Sequence, residues 1–112
     1  MKKIEAIIRP EKLNPVKSTL EDLGFPGMTV SDVKGRGRQK GITQQWRGKE
    51  YKVDLLPKIK LDIVVSDEDM DKVINAILEA APMQKIGDGK IFVSTIEEII
   101  RVRTGERGKD AV

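Results

Sequence analysis

The chain has 112 residues, a net charge of +3 and 35% charged residues, which fits one domain spanning 1–112. It contains neither cysteine nor histidine, which excludes a disulfide framework, thiol and Ser-His-Asp catalysis, and the commonest metal ligand. No apolar run approaches the ~20 residues of a membrane span, and the Ile4 to Ile8 stretch, broken by Glu5, is no secretory leader, so membrane insertion is not expected and a cytoplasmic location is.

In chain order, Ile4, Ala6 and Ile8 alternate and predict a strand that Pro10 stops. Leu13, Val16, Leu20 and Leu23 follow at helical spacing, and Gly24 ends that helix. Met28, Val30 and Val33 mark a second strand running into Gly35-Arg36-Gly37. From Arg38 to about Asp54 no period is visible, and a long insert of this kind in a compact domain is expected to be functional or disordered. Ile59, Leu61, Ile63 and Val65 alternate strictly as a third strand. Ser66 or Asp67 is positioned to cap the next helix, whose stripe is Met70, Val73, Ile74, Ile77, Leu78 and Ala81, ended by Pro82. After a Gly-rich turn at 86–89, Lys90 to Ser94 predicts a fourth strand, Glu97 to Val102 a short last element, and 103–112 a polar tail. The order predicts an α+β fold, a doubled βαβ of ferredoxin-like plan with two helices on one sheet face. Ile7, Val64 and Val93 have the parity of the uncovered face, which favours self-association.

Charge is uneven. Residues 34–60 hold nine Lys and Arg against two acids, so that stretch carries about +7 and the remainder about −4, which points to an anionic ligand or partner. Three glycine or arginine clusters combine backbone freedom with positive charge: Gly35-Arg36-Gly37-Arg38-Gln39-Lys40-Gly41, Gly87-Asp88-Gly89-Lys90, and Arg101-Val102-Arg103. Together they describe a polyphosphate cradle, although no Walker A loop and no dinucleotide fingerprint is present. Tyr51, the single tyrosine, lies in the basic stretch.

The segments Lys2 to Pro10, Gly27-Met28-Thr29-Val30-Ser31, Gly37 to Gly41, Tyr51, Lys85 to Val93 and Arg101-Val102-Arg103-Thr104-Gly105-Glu106 resemble the nitrogen regulatory PII signal proteins over nearly the whole chain. The resemblance implies a homotrimer of ferredoxin-like subunits with a long mobile loop (the T-loop, about 37–55) between the second and third strands, and a non-catalytic role in nitrogen, carbon and energy signalling. It implies ATP or ADP in clefts between subunits, with Ile7, Thr29 and Val64 on the adenine and ribose side. Gly35, Gly37 and Arg38 would approach the nucleotide, Gly87, Asp88, Gly89 and Lys90 would cradle the phosphates, and Arg101 and Arg103 would reach across from a neighbour. It further implies 2-oxoglutarate bound with Mg-ATP, through Gln39 as the Mg²⁺ ligand, Lys40, Gly41, Lys58 and Gly87. Tyr51 falls on the family's uridylylated tyrosine, and Lys49 stands where phosphorylated relatives carry serine. Implied partners are an ammonium transporter or nitrogen-metabolism enzymes and regulators, and no nucleic acid.

One departure stands out: Pro82-Met83-Gln84 replaces the family's Arg-Thr-Gly, which predicts weaker ATP binding or an altered ATP/ADP preference. Three other readings are a diverged sensor of another small molecule, a small basic RNA-binding protein, and an acylphosphatase-type hydrolase. The few aromatics disfavour RNA, and the placement of Asn14 and Asn75 at a helix start and within a helix disfavours the hydrolase.

Overall fold

The computed structural model describes all residues except 37–41 and 47, and the side chains of 42–46 and 49–53 also lie outside the described set. Its elements are β1 (Lys2–Ile8), α1 (Leu13–Asp22), β2 (Thr29–Gly35), β3 (Ile42–Trp46), β4 (Lys49–Val53), β5 (Leu56–Val65), α2 (Met70–Ala80) and β6 (Gly89–Thr95). Four strands form one antiparallel sheet in the order β2-β5-β1-β6, and β3 and β4 form a separate two-stranded sheet. The doubled βαβ expected from the sequence is present.

Within the long insert expected at 38–54, the backbones of 42–46 and 49–53 form that second sheet, a regular element that periodicity does not predict. Ile42 pairs with Val53 and Trp46 with Lys49, so a two-residue connection closes a hairpin, and Gly48 takes a φ of +74° within it. β-Branched and aromatic residues (Ile42, Thr43, Trp46, Tyr51, Val53) supply the strand preference, while the interleaved polar residues hide it from a periodicity reading.

Pro10 opens a single 3-10 turn (Pro10–Lys12) ahead of α1, and Pro15 sits in the first turn of α1, where a missing N–H costs nothing. Gly24, at φ +91°, ends α1: its N–H reaches the Glu21 carbonyl, and the Phe25 N–H reaches that of Leu20 at 2.8 Å, which satisfies the free carbonyls of the last turn. Leu23 leaves the predicted stripe and is 44% exposed, because the helix has already ended there. Before α2, the chain makes a 3-10 turn at Asp67–Asp69. Neither predicted cap acts through its side chain: the Ser66 hydroxyl donates to Asp69 Oδ2, and Asp67 receives the N-terminal ammonium at 2.8 Å. Residues 97–102 form no regular element. The chain instead folds back through an isolated bridge between Ile100 and Arg107 and ends in a 3-10 turn at Gly108–Ala111.

The core lies between the helices and one sheet face. Ile4, Ala6 and Ile8 of β1 and Ile59, Leu61, Ile63 and Val65 of β5 meet Val16 and Leu20 of α1 and Val73, Ala76 and Ile77 of α2. Directly paired antiparallel residues share a face. Ile7 and Val64 pair with Lys60 and Lys3 and lie on the open face, as expected. Val93 does not: it pairs with the buried Ile4 and borders a groove with Ile74, Ile77 and Leu78 of α2. Phe92, opposite Glu5, takes the open-face position and is half exposed.

Leu20 is fully buried and Leu23 is not. Leu20→Ala is expected to cost about 2–5 kcal/mol, and Leu23→Ala to stay within about 0.5 kcal/mol. Urea denaturation at a single protein concentration measures both.

Candidate ligand-binding site

The ends of β1 and β2 and the starts of β5 and β6 lie at one end of the sheet. Gly35 closes β2 opposite Leu56, and a Cβ there would lie 3.5 Å from the stem of Lys58. Ile7 sits between Lys60 on one neighbouring strand and Lys90 on the other. An apolar side chain is thus flanked by two lysines on the open face.

Gly89 allows the strands to approach. Its φ is +111°, and an added Cβ would come within 1.7 Å of the Ile7 carbonyl oxygen, an impossible separation. The Gly-Asp-Gly-Lys run is therefore dictated partly by β1–β6 packing and not by ligand chemistry alone. Gly87 also has positive φ, at +99°.

Lys58 is 7% exposed, the one buried charged residue among those described, and its ammonium donates to the Gly87 carbonyl. Burial lowers its pKa from the ordinary 10.5, the neighbouring Arg9 guanidinium lowers it further, and Glu11 and Asp88 oppose both. The arrangement is a buried cation, close to a second cation, that donates to a neutral carbonyl. An incoming carboxylate would be a stronger partner.

The turn between α2 and β6 is organised by Asp88. Its Oδ2 accepts the N–H groups of Met83 and Lys85 at 3.0 and 3.2 Å, and its Oδ1 accepts Arg9 Nε at 3.1 Å. Arg9 Nη2 also donates to the Ile86 carbonyl at 2.9 Å. Desolvation raises the Asp88 carboxyl pKa, but the Arg9 bond, the two backbone N–H groups and the Arg9 charge together outweigh it, so the net shift is downward. Arg9 is a site residue that the sequence reading does not single out. The signal available is a basic residue closing an apolar strand immediately before Pro10.

The remaining predicted residues lie elsewhere. Val64 and Thr29 sit toward the other end of the sheet, Val64 opposite Lys3 and Thr29 opposite Asp62, so Val64 is four positions or about 13 Å along β1 from Ile7. Arg101 and Arg103 follow the far end of β6. Arg101 lies 3.9 Å from Glu106 and donates to the Asp110 carbonyl, while Arg103 is exposed. Along β5, Gly35 and Lys58 lie toward one end with Gly87 to Lys90, Ile7 lies level with Lys60 midway, and Thr29 and Val64 lie toward the other end, beyond which Arg101 and Arg103 follow β6. Gly37, Arg38, Gln39, Lys40 and Gly41 lie outside the described residues, as does the Tyr51 side chain, whose backbone pairs with Gln44.

The family described as Nitrogen regulatory protein P-II matches residues 1–106. Relatives include Nitrogen regulatory protein P-II 2 of Methanothermobacter thermautotrophicus, 59% identical over all of this chain and 97% of the relative. The Nitrogen regulatory proteins P-II of Pasteurella multocida and Rhizobium meliloti are 59% and 58% identical over the full length of both chains. The chain belongs to the P-II family. P-II proteins are trimeric regulators that act on partner proteins rather than catalysts. Among the described residues no helix is long and apolar enough to cross a membrane.

The P-II resemblance gives a reason for one backbone outlier. Gln84 has φ +60°, the single non-glycine residue with positive φ among those described, and it stands where the family pattern carries glycine.

Two outcomes are expected. Gly89→Ala should destabilise the protein by about 2–4 kcal/mol, read by thermal or urea unfolding, through backbone strain and the clash with Ile7. Because the Asp88 pKa is lowered, its contribution is fully present above the ordinary value of 3.8 and is lost as pH falls through the folded-state value below it. Amide exchange at Met83 and Lys85, corrected for intrinsic rates, should therefore keep constant protection from neutral pH down to 3.8 and weaken only below it, by about threefold or less, because a protonated carboxyl still offers an acceptor oxygen.

Proposed function

We propose that this chain is a non-catalytic cytoplasmic sensor that binds ATP or ADP and, together with Mg-ATP, 2-oxoglutarate, and that reports their levels to partners through residues 37–55. The observation that carries the reading is the corner where Lys58, Lys90, Gly87 and Gly89 meet, a buried cation and an exposed one beside two glycines with positive φ. Lysine provides point charge, and the glycine backbone admits close approach of phosphate oxygens.

The separation of Gly35 and Gly87 to Lys90 from Arg101 and Arg103, at opposite ends of β6, favours a site shared between copies of a homotrimer. One subunit supplies Ile7, Gly35, Gly37, Arg38 and Gly87 to Lys90, and its neighbour supplies Thr29, Val64, Arg101 and Arg103. Asp88 belongs to the phosphate-side turn in this scheme. Gln39 is the assigned Mg²⁺ ligand, since an amide oxygen suits a hard cation, and Lys40, Gly41, Lys58 and Gly87 complete the 2-oxoglutarate site. When bound, Mg-ATP supplies a metal centre for the keto acid, while Lys58 holds a carboxylate. Tyr51, on the β4 backbone, is the assigned uridylylation site. The partners are an ammonium transporter or enzymes and regulators of nitrogen metabolism.

A second reading, a diverged P-II sensor with altered nucleotide preference, is favoured by Pro82, which has neither the charge nor the N–H of the family's arginine. A lost charged contact is worth about 1.5–3 kcal/mol, or about 10- to 100-fold in affinity.

Calorimetric titration with Mg-ATP and Mg-ADP, then with 2-oxoglutarate, tests the function. Micromolar ATP binding and 2-oxoglutarate binding only in the presence of Mg-ATP are expected. Lys58→Met should abolish the 2-oxoglutarate heat while leaving ATP binding, and Pro82→Arg should tighten ATP. No nucleotide heat at all would overturn the proposal, and an unchanged ATP affinity after restoring Arg-Thr-Gly at 82–84 would remove the case for a diverged preference.

A further inference from the structure

We propose that Asp88 is a positioning residue and not a ligand contact: its carboxylate fills an anion nest in its own turn, and Arg9 holds it there. The functional arm of this inference rests on the nucleotide reading above. A carboxylate in a phosphate cradle is at first sight a repulsive neighbour. The structure removes the conflict, because both Asp88 oxygens face inward. Oδ2 receives the Met83 and Lys85 N–H groups, and Oδ1 receives Arg9 Nε.

The two N–H groups flank Gln84, whose φ of +60° lies in the left-handed region. One left-handed residue between two donors makes them converge on a single oxygen, which is the geometry of a backbone anion nest. Here the anion is the chain's own carboxylate. Arg9 adds a second tie by donating to the Ile86 carbonyl, so residues 83, 85, 86 and 88 are all fastened, directly or through Arg9, to the end of β1. Inside the turn the backbone itself contributes one longer bond, from the Asp88 N–H to the Lys85 carbonyl at 3.3 Å. The carboxylate is therefore the main organiser of the turn, and through the turn it places Gly87, Gly89 and Lys90.

The test compares Asp88→Ala, Asp88→Asn and Arg9→Met in the full chain by amide exchange without ligand and by calorimetry with Mg-ATP. Asp88→Ala should speed exchange at Met83 and Lys85 by at least about tenfold and weaken ATP by a similar factor. Asp88→Asn should restore both to within about threefold, because its amide oxygen still accepts the two N–H groups. Arg9→Met should fall between them. Unchanged exchange in Asp88→Ala overturns the proposal. So does an Asn variant that binds ATP as poorly as the Ala variant, which would mark a direct or metal-mediated ligand role for the carboxylate. Tighter ATP binding by Asp88→Ala also overturns it, since the vacated nest would then serve a phosphate better than the turn serves the site. If the wild-type chain binds no nucleotide, the functional reading fails, and the exchange data alone still decide whether Asp88 holds the turn.

Discussion

Two helices cover one face of a four-stranded sheet and leave the other face bare, and the placement of the site follows from that asymmetry. The covered face is apolar along β1 and β5, whereas the bare face carries Lys3, Glu5, Ile7, Lys60, Asp62, Val64, Lys90 and Phe92. The charges there are only loosely matched. Lys60 lies 3.9 Å from Glu5 and 4.0 Å from Asp62, and Asp62 Oδ1 is buried with no hydrogen-bond donor among the described residues, the Lys3 ammonium standing 3.9 Å away. A buried carboxylate oxygen without a donor is costly in isolation. A face that mixes half-buried aliphatic residues with an unsatisfied acceptor is better suited to meeting other copies of the chain than to water, in keeping with a trimeric family.

The corner of this sheet concentrates positive charge in a confined space. Arg9 and Lys58 are close enough for the guanidinium to lower the lysine pKa, and burial lowers it further. Two nearby cations would repel one another were the corner not neutralised in part by Asp88, which pairs with Arg9, and by the Gly87 carbonyl, which receives Lys58. The two neutralising groups are adjacent in sequence. The shape of one turn consequently decides how both cations are held, and under the proposed function a ligand carboxylate that draws Lys58 from Gly87 acts on that same turn. Differential contact of this kind is what a ligand needs to shift a conformational equilibrium.

Much of the fold is legible because its signals are local. The alternation in Ile4 to Ile8 and Ile59 to Val65 depends on which side of a strand is buried, and Gly24 after Leu20 and Leu23 is a helix end written in adjacent residues. Parity puts Val93 on the wrong face because Ile91, Phe92 and Val93 are all apolar, so parity within the run is undefined; the register against Ile4 decides it, and register is a long-range property. The β3–β4 hairpin is hidden in the sequence because its strands are rich in polar residues, leaving no hydrophobic alternation to read. For the candidate site, glycine and lysine identities single out the turn at 86–89. The direction of the Asp88 carboxylate and the involvement of Arg9 cannot be read, since both depend on a contact across 79 residues of sequence.

The turn at 82–84 shows how a local departure can retain backbone geometry while changing charge. Gln84 adopts the left-handed conformation that glycine would take without strain, at a cost of about 1–2 kcal/mol. The chain accepts that strain because the neighbouring N–H groups gain a charged acceptor, and hydrogen bonds to ionised groups are stronger than those between neutral ones. Backbone shape is thereby preserved despite the change in sequence. The positive charge expected at position 82 is not preserved, and Pro82 offers no N–H in its place. Any compensation must come from cationic side chains nearby, of which Lys85 and Lys90 are both exposed. Under the proposed function, affinity for a polyphosphate at this corner would therefore depend more heavily on the remaining lysines here than in a chain that kept the arginine.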